Sequence, residues 1–399
     1  MYKKRILVMT SVVSLMVCIL SACSKTTTTS TSSLSNSEKN IQEHAINIGN
    51  KVASWQLNHL EEFDYLDERY HKSSSSPLWW IQAAFYIGLT EWADTSNDNN
   101  ILQHIQAIAA ENDFKIDERR PLHADDHAIA QTYLWLAQKS KENKPYQHVQ
   151  KIFDQIIESQ PKVTLEWIKT DEKIPGYHNP CQLRWCWSDA LFMSPRVWLQ
   201  LTNITGDAKY FEYGDREFWA TVDYLFDKNH NLFYRDSNYF DMKTANGEPV
   251  FWSRGNGWVF AALPLIIEAL PDNHPSKSKY IELFKAHAKG LIAQQTSAGY
   301  WPSSLKDAKQ FDMPETSGTG FITYGLAWGV NNAVLTDAKS KQAALKGWNA
   351  LTQAIAKDGR VNWVQQVGAS PDTVKQADTQ FYGVGAVLLA ASEMSRWKE

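Results

Sequence analysis

The feature that most constrains this chain is a repeating pair of helical patterns. Apolar residues recur at helical spacing from about residue 37 onward, and no run of alternating strand pattern interrupts them. Gly, Pro, Asn and Asp clusters divide the chain into twelve predicted helices: 37–57, 77–93, 97–113, 124–142, 144–160, 187–205, 207–226, 254–270, 276–295, 317–336, 338–357 and 379–397. They alternate in character. Even-numbered segments carry Gly, Ala, Trp, Phe and Leu on most faces, as in Gly383-Val384-Gly385-Ala386-Val387-Leu388-Leu389, and a helix apolar all round must be buried. Odd-numbered ones are amphipathic, such as Tyr280-Ile281-Glu282-Leu283-Phe284-Lys285. A hairpin recurring about every sixty residues suggests a ring. Six buried helices inside six amphipathic ones make an all-α (α/α)6 toroid, a single domain over 38–399. An open solenoid is the competitor, and it would expose more of the apolar faces.

The first residues are not part of that fold. Lys3-Lys4-Arg5 precede an apolar stretch from Ile6 to Leu20, the pattern of a secretory signal and too short to span a membrane confidently. Leu20-Ser21-Ala22-Cys23 resembles a bacterial lipobox, which implies removal of residues 1–22 and lipidation of Cys23; an ordinary signal with a chance cysteine is the alternative. Ser24 follows where an inner-membrane retention signal would have Asp, so the expected location is the bacterial cell envelope, lipid-anchored at the outer membrane. Residues 23–37 are Ser/Thr/Lys-rich and bury too little to order themselves, which makes them a tether. The net charge of −4 without a basic cluster argues against nucleic acid as a partner. Cys181 and Cys186 are the cysteines left in the body; they suit a local disulfide, or less readily a Zn site with His178. No metal or organic cofactor is implied by any other spacing.

In a toroid of this kind the inner helices run parallel, so their N-terminal ends open at one mouth. The unusual residues sit at those starts: Trp79-Trp80, Asp125-Asp126-His127, Trp187 and Asp189, Trp252 to Trp258, Glu315 to Thr319, and Gln380 to Gly383. Unpaired N–H groups there favour an anionic ligand, and the 17 tryptophans of the chain include candidates for stacking on sugars. Asp189 is the most telling. It lies in Trp185-Cys186-Trp187-Ser188-Asp189-Ala190-Leu191-Phe192, where indole surroundings would raise a carboxyl pKa toward that of a general acid; a plain helix cap is the ordinary alternative.

Four strings, in this order and spacing, resemble the unsaturated rhamnogalacturonyl hydrolases of glycoside hydrolase family 105, with the family 88 glucuronyl hydrolases as relatives. They are His123 to Tyr133, Trp187 to Met193, Phe251-Trp252-Ser253-Arg254-Gly255-Asn256-Gly257-Trp258-Val259, and Gly383 to Ala386. The resemblance implies removal of a 4,5-unsaturated uronic acid from the non-reducing end of lyase-generated oligosaccharides, of rhamnogalacturonan or ulvan type. It implies Asp189 as acid/base and Asp125 as the second carboxylate, with Asp126 one position away. The expected substrate-binding residues are Asp126, Trp187, Trp252, Arg254, Trp258, Trp80 and Arg235. The residue that takes the uronate carboxylate is open among His178, Asn179 and Arg184. Two other functions compete. A toroid enzyme acting on saturated sugars would need a second acid, for which Glu315 is the candidate; a non-catalytic glycan-binding lipoprotein would need none.

Overall fold

The computed structural model describes residues 35–171 and 174–398. The predicted signal peptide, Cys23 and nearly all of the tether lie outside the described residues. The ordered body begins with α1 (Asn36–Leu57), two residues before the expected domain start at 38. Eleven more long helices follow: α2 (Trp80–Ser96), α3 (Asn99–Glu111), α4 (Ala124–Ser140), α5 (Lys144–Ser159), α6 (Pro195–Thr205), α7 (Ala208–Leu225), α8 (Ser253–Ala269), α9 (Lys277–Ile292), α10 (Thr316–Asn331), α11 (Ala338–Gln353) and α12 (Phe381–Met394). Every segment expected from periodicity is present. The sixth differs in one respect: its expected start is a separate turn, Ala190–Met193, and Pro195 opens α6 at a position where its missing N–H costs nothing. A two-residue antiparallel pairing, Phe226–Asp227 with Leu232–Phe233, was not expected from the pattern; it closes a tight turn at the end of α7 and is too short to register as an alternation.

The even-numbered helices pack side by side in the order α2, α4, α6, α8, α10, α12 and back to α2, and each odd-numbered helix lies against an inner one. The ring is therefore closed, and the solenoid alternative falls. Its final joint, α12 on α2, is made backbone to backbone. A Cβ added to Gly88 would stand 2.3 Å from the Gly385 carbonyl oxygen, and one added to Gly385 would stand 2.3 Å from that of Ala84. Only glycine permits that approach.

The two ends of the ring differ. At the helix starts Trp80 stacks on Tyr382 at 5.3 Å, linking α2 to α12. Along the axis Phe192, Trp258 and Phe321 fill the interior, with centroids 4.2 to 5.5 Å apart. At the opposite end Trp328 Nε1 donates to Glu268 (2.6 Å), Arg196 to Glu91 (2.8 Å) and Asn331 Nδ2 to Glu393 (2.8 Å). Burial pushes Glu393 up to about 7, with Glu268 and Glu91 adding to the rise. Aromatic rings thus fill the axis, and part-buried polar pairs gather at the far end.

Substituting Gly385→Val should destabilise the fold by about 1–3 kcal/mol through overpacking of the α2–α12 joint. Denaturant unfolding monitored by tryptophan fluorescence checks this; an unchanged midpoint would show that the joint can widen freely.

Candidate active site

Asp189 begins the turn Ala190–Met193, yet its side chain makes no capping bond to that turn, so the helix-cap alternative does not describe it. Its neighbours fix the carboxyl instead. Trp187 is buried and its chain continues into Ser188, whose N–H donates to the Arg235 carbonyl (2.8 Å) and whose hydroxyl donates to Asp189 Oδ2 (3.0 Å). Arg235 returns toward the same oxygen, with Nε at 3.9 Å, while its Nη1 donates to Asp236 (2.6 Å). Burial raises the Asp189 carboxyl above the ordinary range; the charges of Arg235 and Arg254 and the Ser188 bond oppose the rise. Arg235, expected among the substrate-binding residues, is the cation that the fold brings nearest to Asp189.

The adjacent carboxyls at the start of α4 separate in role. Asp126 is 1 % exposed and takes a bidentate fork from Arg120, Nε to Oδ2 at 3.0 Å and Nη2 to Oδ1 at 2.5 Å. Burial pushes it up to about 6, with the fork opposing. Asp125 instead shares its surroundings with Asp189 and Arg235. Burial pushes it up to about 7, Arg120 opposes, Asp126 and Asp189 add to the rise, and Arg235 opposes again. The expected substrate contact by Asp126 is thus corrected: its carboxylate is occupied in clamping the Arg119–Pro121 turn. Asp125 is the second carboxyl of the cavity.

Three further expectations are revised by packing. Trp258 is fully buried between Phe192 and Phe321, and Trp252 is 2 % exposed, so neither offers a face to a sugar. The Arg254 guanidinium lies between Trp252 (4.3 Å) and Tyr382 (4.7 Å), and its two Nη atoms donate to the Gln365 and Gln366 carbonyls at 2.7 and 2.9 Å. Its fork pins the 365–366 segment rather than a ligand, and it reaches Asp189 by charge alone. Trp187 is buried against His123, with centroids 4.8 Å apart, and acts as a wall behind Asp189. Trp80 remains half-buried at the mouth.

Glu315 is removed as a second acid. It is fully buried and accepts from Ser317 N, Ser317 Oγ, Gly318 N and Gln365 N at 3.0, 2.6, 2.6 and 3.2 Å. Cys181 and Cys186 form a disulfide, which takes both sulfurs from any Zn site with His178. Arg184 donates to Glu217 at 2.7 Å and is committed there.

Sequence reading missed Trp167, Gln182 and His123 as individuals. Trp167 sits in the irregular stretch between α5 and the 180–183 turn, its ring 5.6 Å from the Arg235 guanidinium. Ile168 beside it and Met242 are the large apolar side chains most exposed among the described residues, at 39 % and 46 %. A tryptophan in a stretch with no helical period was the available signal.

These segments fall within the part of the chain, residues 48–398, that matches the family model described as Glycosyl Hydrolase Family 88. The chain belongs to glycosyl hydrolase family 88. It is 53 % identical over 363 residues to a protein of Alteromonas sp. (strain LOR) named unsaturated 3S-rhamnoglycuronyl hydrolase, covering 90 % of this chain and 88 % of that one. A solved protein named a polysaccharide lyase shares the fold at a TM-score of 0.75 and 30 % identity, over 89 % of this chain and 97 % of that one. A possible family 105 member from Salmonella enterica matches at a TM-score of 0.68 and 18 % identity, over 89 % and 94 %, which shows the toroid fold alone. The motif resemblance that put family 105 first, with family 88 as its relative, thus resolves into membership of family 88.

The raised Asp125 carboxyl has a thermodynamic consequence. Its proton is held more tightly in the folded chain (about 7) than at the ordinary 3.8, so stability falls as pH rises through that interval. Asp125→Asn should therefore raise the melting temperature at pH 8 and leave it near wild type at pH 4. A gain equal at both values would show that charge is not its source.

Proposed function

We propose that this hydrolase removes a 4,5-unsaturated uronic acid from the end of a rhamnose-containing oligosaccharide by hydrating its C4=C5 bond. The supporting observation is the pairing of Asp189 and Asp125, two carboxyls raised by burial and within electrostatic reach of each other and of Arg235. The 53 % identical relative carries a name of the same substrate class.

The bond order of the substrate decides the chemistry. A vinyl ether, C4=C5–O, is protonated at C4 and leaves an oxocarbenium-like cation at C5. Asp189, whose carboxyl burial raises above the ordinary range, gives that proton. Water then adds its oxygen to C5 and returns a proton to the Asp189 carboxylate, which restores the acid. The resulting hemiketal opens, and the next sugar leaves with its hydroxyl. Asp125 in its ionised form stabilises the developing positive charge from across the ring. Arg235, oriented by Asp236, is the cation for the uronate carboxylate.

Trp80 and Trp167 stand at the mouth for the sugar that follows. The exposed Ile168, next to Trp167 in the chain, adds an apolar surface suited to the methyl group of a deoxy sugar. A lipid anchor at Cys23, after loss of the signal, completes the proposal and would hold the enzyme in the cell envelope.

The test is ultraviolet absorbance of lyase-generated oligosaccharides, from rhamnogalacturonan and from ulvan, mixed with the protein. Hydration removes the conjugated C4=C5 signal, whereas lyase action on intact polysaccharide would create it, so the sign of the change separates this reading from the name of the solved neighbour. Asp189→Asn should lower kcat by about 10²–10⁴-fold with the fold intact. Arg235→Gln should chiefly raise KM. Normal turnover by the Asp189 variant would defeat the mechanism.

A further inference from the structure

We infer that His123 is a positioning residue for Asp125: Gln182, held inside the Cys181–Cys186 loop, fixes the His123 tautomer so that Nδ1–H faces the Asp125 carboxylate. The inference rests on the proposed division of labour between Asp125 and Asp189.

The argument begins at Gln182. Its Oε1 lies 2.7 Å from His178 N and 3.1 Å from Asn179 N, and backbone N–H groups can only donate. That contact fixes the amide orientation, with oxygen toward the backbone and nitrogen toward the ring. Gln182 Nε2 is 3.1 Å from His123 Nε2, so the amide donates and the ring nitrogen accepts. A neutral imidazole has one proton, which must then sit on Nδ1. The ring is neutral, because burial holds its pKa well below the ordinary value and the charges of Arg120, His127, His178 and Arg235 act in the same direction. Asp125 N–H also lies 3.3 Å from Nδ1, but the two shorter bonds to Gln182 Oε1 outweigh that single longer contact.

Nδ1–H therefore faces Asp125 Oδ2 at 3.7 Å, within ion-pair range and longer than a hydrogen bond. A donor aimed at a carboxyl favours its ionised form. Asp125 needs that help: Asp126 and Asp189 press its charge off, and Arg120 and Arg235 oppose them. Asp189 takes its own donor from Ser188 Oγ at 3.0 Å and the charges of Arg235 and Arg254, so the imidazole contact belongs to Asp125.

The disulfide supplies the rigidity. Cys181 and Cys186 are both buried and bracket Gln182, while Trp187, one residue beyond the bridge, packs against the other side of His123. One covalent loop thus holds the imidazole from two sides.

The experiment is the pH profile of kcat/KM for unsaturated oligosaccharide hydration by the full-length protein and two variants. His123→Leu removes the donor and should move the acidic limb upward by about one pH unit, since Asp125 then ionises less readily. His123→Asn places an amide N–H near the Nδ1 position and should keep the limb near wild type. A Leu limb that stays in place, or Asn and Leu losing activity alike with unmoved limbs, would overturn the inference. Should His123→Leu fail to fold, Gln182→Leu frees the tautomer and should move the limb the same way; no movement there overturns it equally. A wild-type protein without hydration activity would defeat the reaction itself, whereas an active wild type indifferent to these substitutions would defeat the role of His123 alone.

Discussion

Closure of the inner ring is the constraint on which the rest depends. Six helices that are apolar all round have no stable exposed state, and a ring is the arrangement that gives every one of them two neighbours. The joint between the first and last inner helices is made after nearly the whole chain has been laid down, because α2 and α12 are separated by some three hundred residues. Gly88 and Gly385 let the two backbones touch there, and Trp80 on Tyr382 continues the contact up to the mouth. A loosened joint would reach the active site directly, since Tyr382 also flanks the Arg254 guanidinium that pins residues 365 and 366.

The chemistry depends on opposing electrostatic effects brought together by that closure. Burial drives Asp125, Asp126 and Asp189 toward their neutral forms, and arginines act against it to different degrees. Arg120 meets Asp126 with a full fork, so that carboxylate is structural. Arg235 spends its hydrogen bond on Asp236 and meets Asp189 only at 3.9 Å, so it opposes the burial of that carboxyl less directly than Arg120 opposes that of Asp126. Three neighbouring carboxyls acquire three roles from the geometry of two guanidinium groups.

Much of this was legible in the residues. Periodicity located all twelve helices, because a buried helix and an amphipathic one differ over many positions, and only the break at Pro195 altered a boundary of consequence. The raised carboxyl of Asp189 was legible because its burial, the largest cause of the shift, follows from the apolar residues beside it in sequence. Arg254, Trp252 and Trp258 were misread as ligand contacts since their partners, Gln365, Phe321 and Tyr382, lie far along the chain. Nothing within a few residues of an arginine shows whether its fork is already filled. Arg235 likewise reaches Asp189 through a distant contact, the hydrogen bond from Ser188 N–H to its carbonyl.

The sealed base of the ring carries one more implication. Phe192, Trp258 and Phe321 fill the axis, and glutamates, tryptophan and arginine close the far end. With the axis filled by rings, Asp125, Asp189 and Arg235 can be reached only from the side of the helix starts, so a ligand must approach and depart on that side.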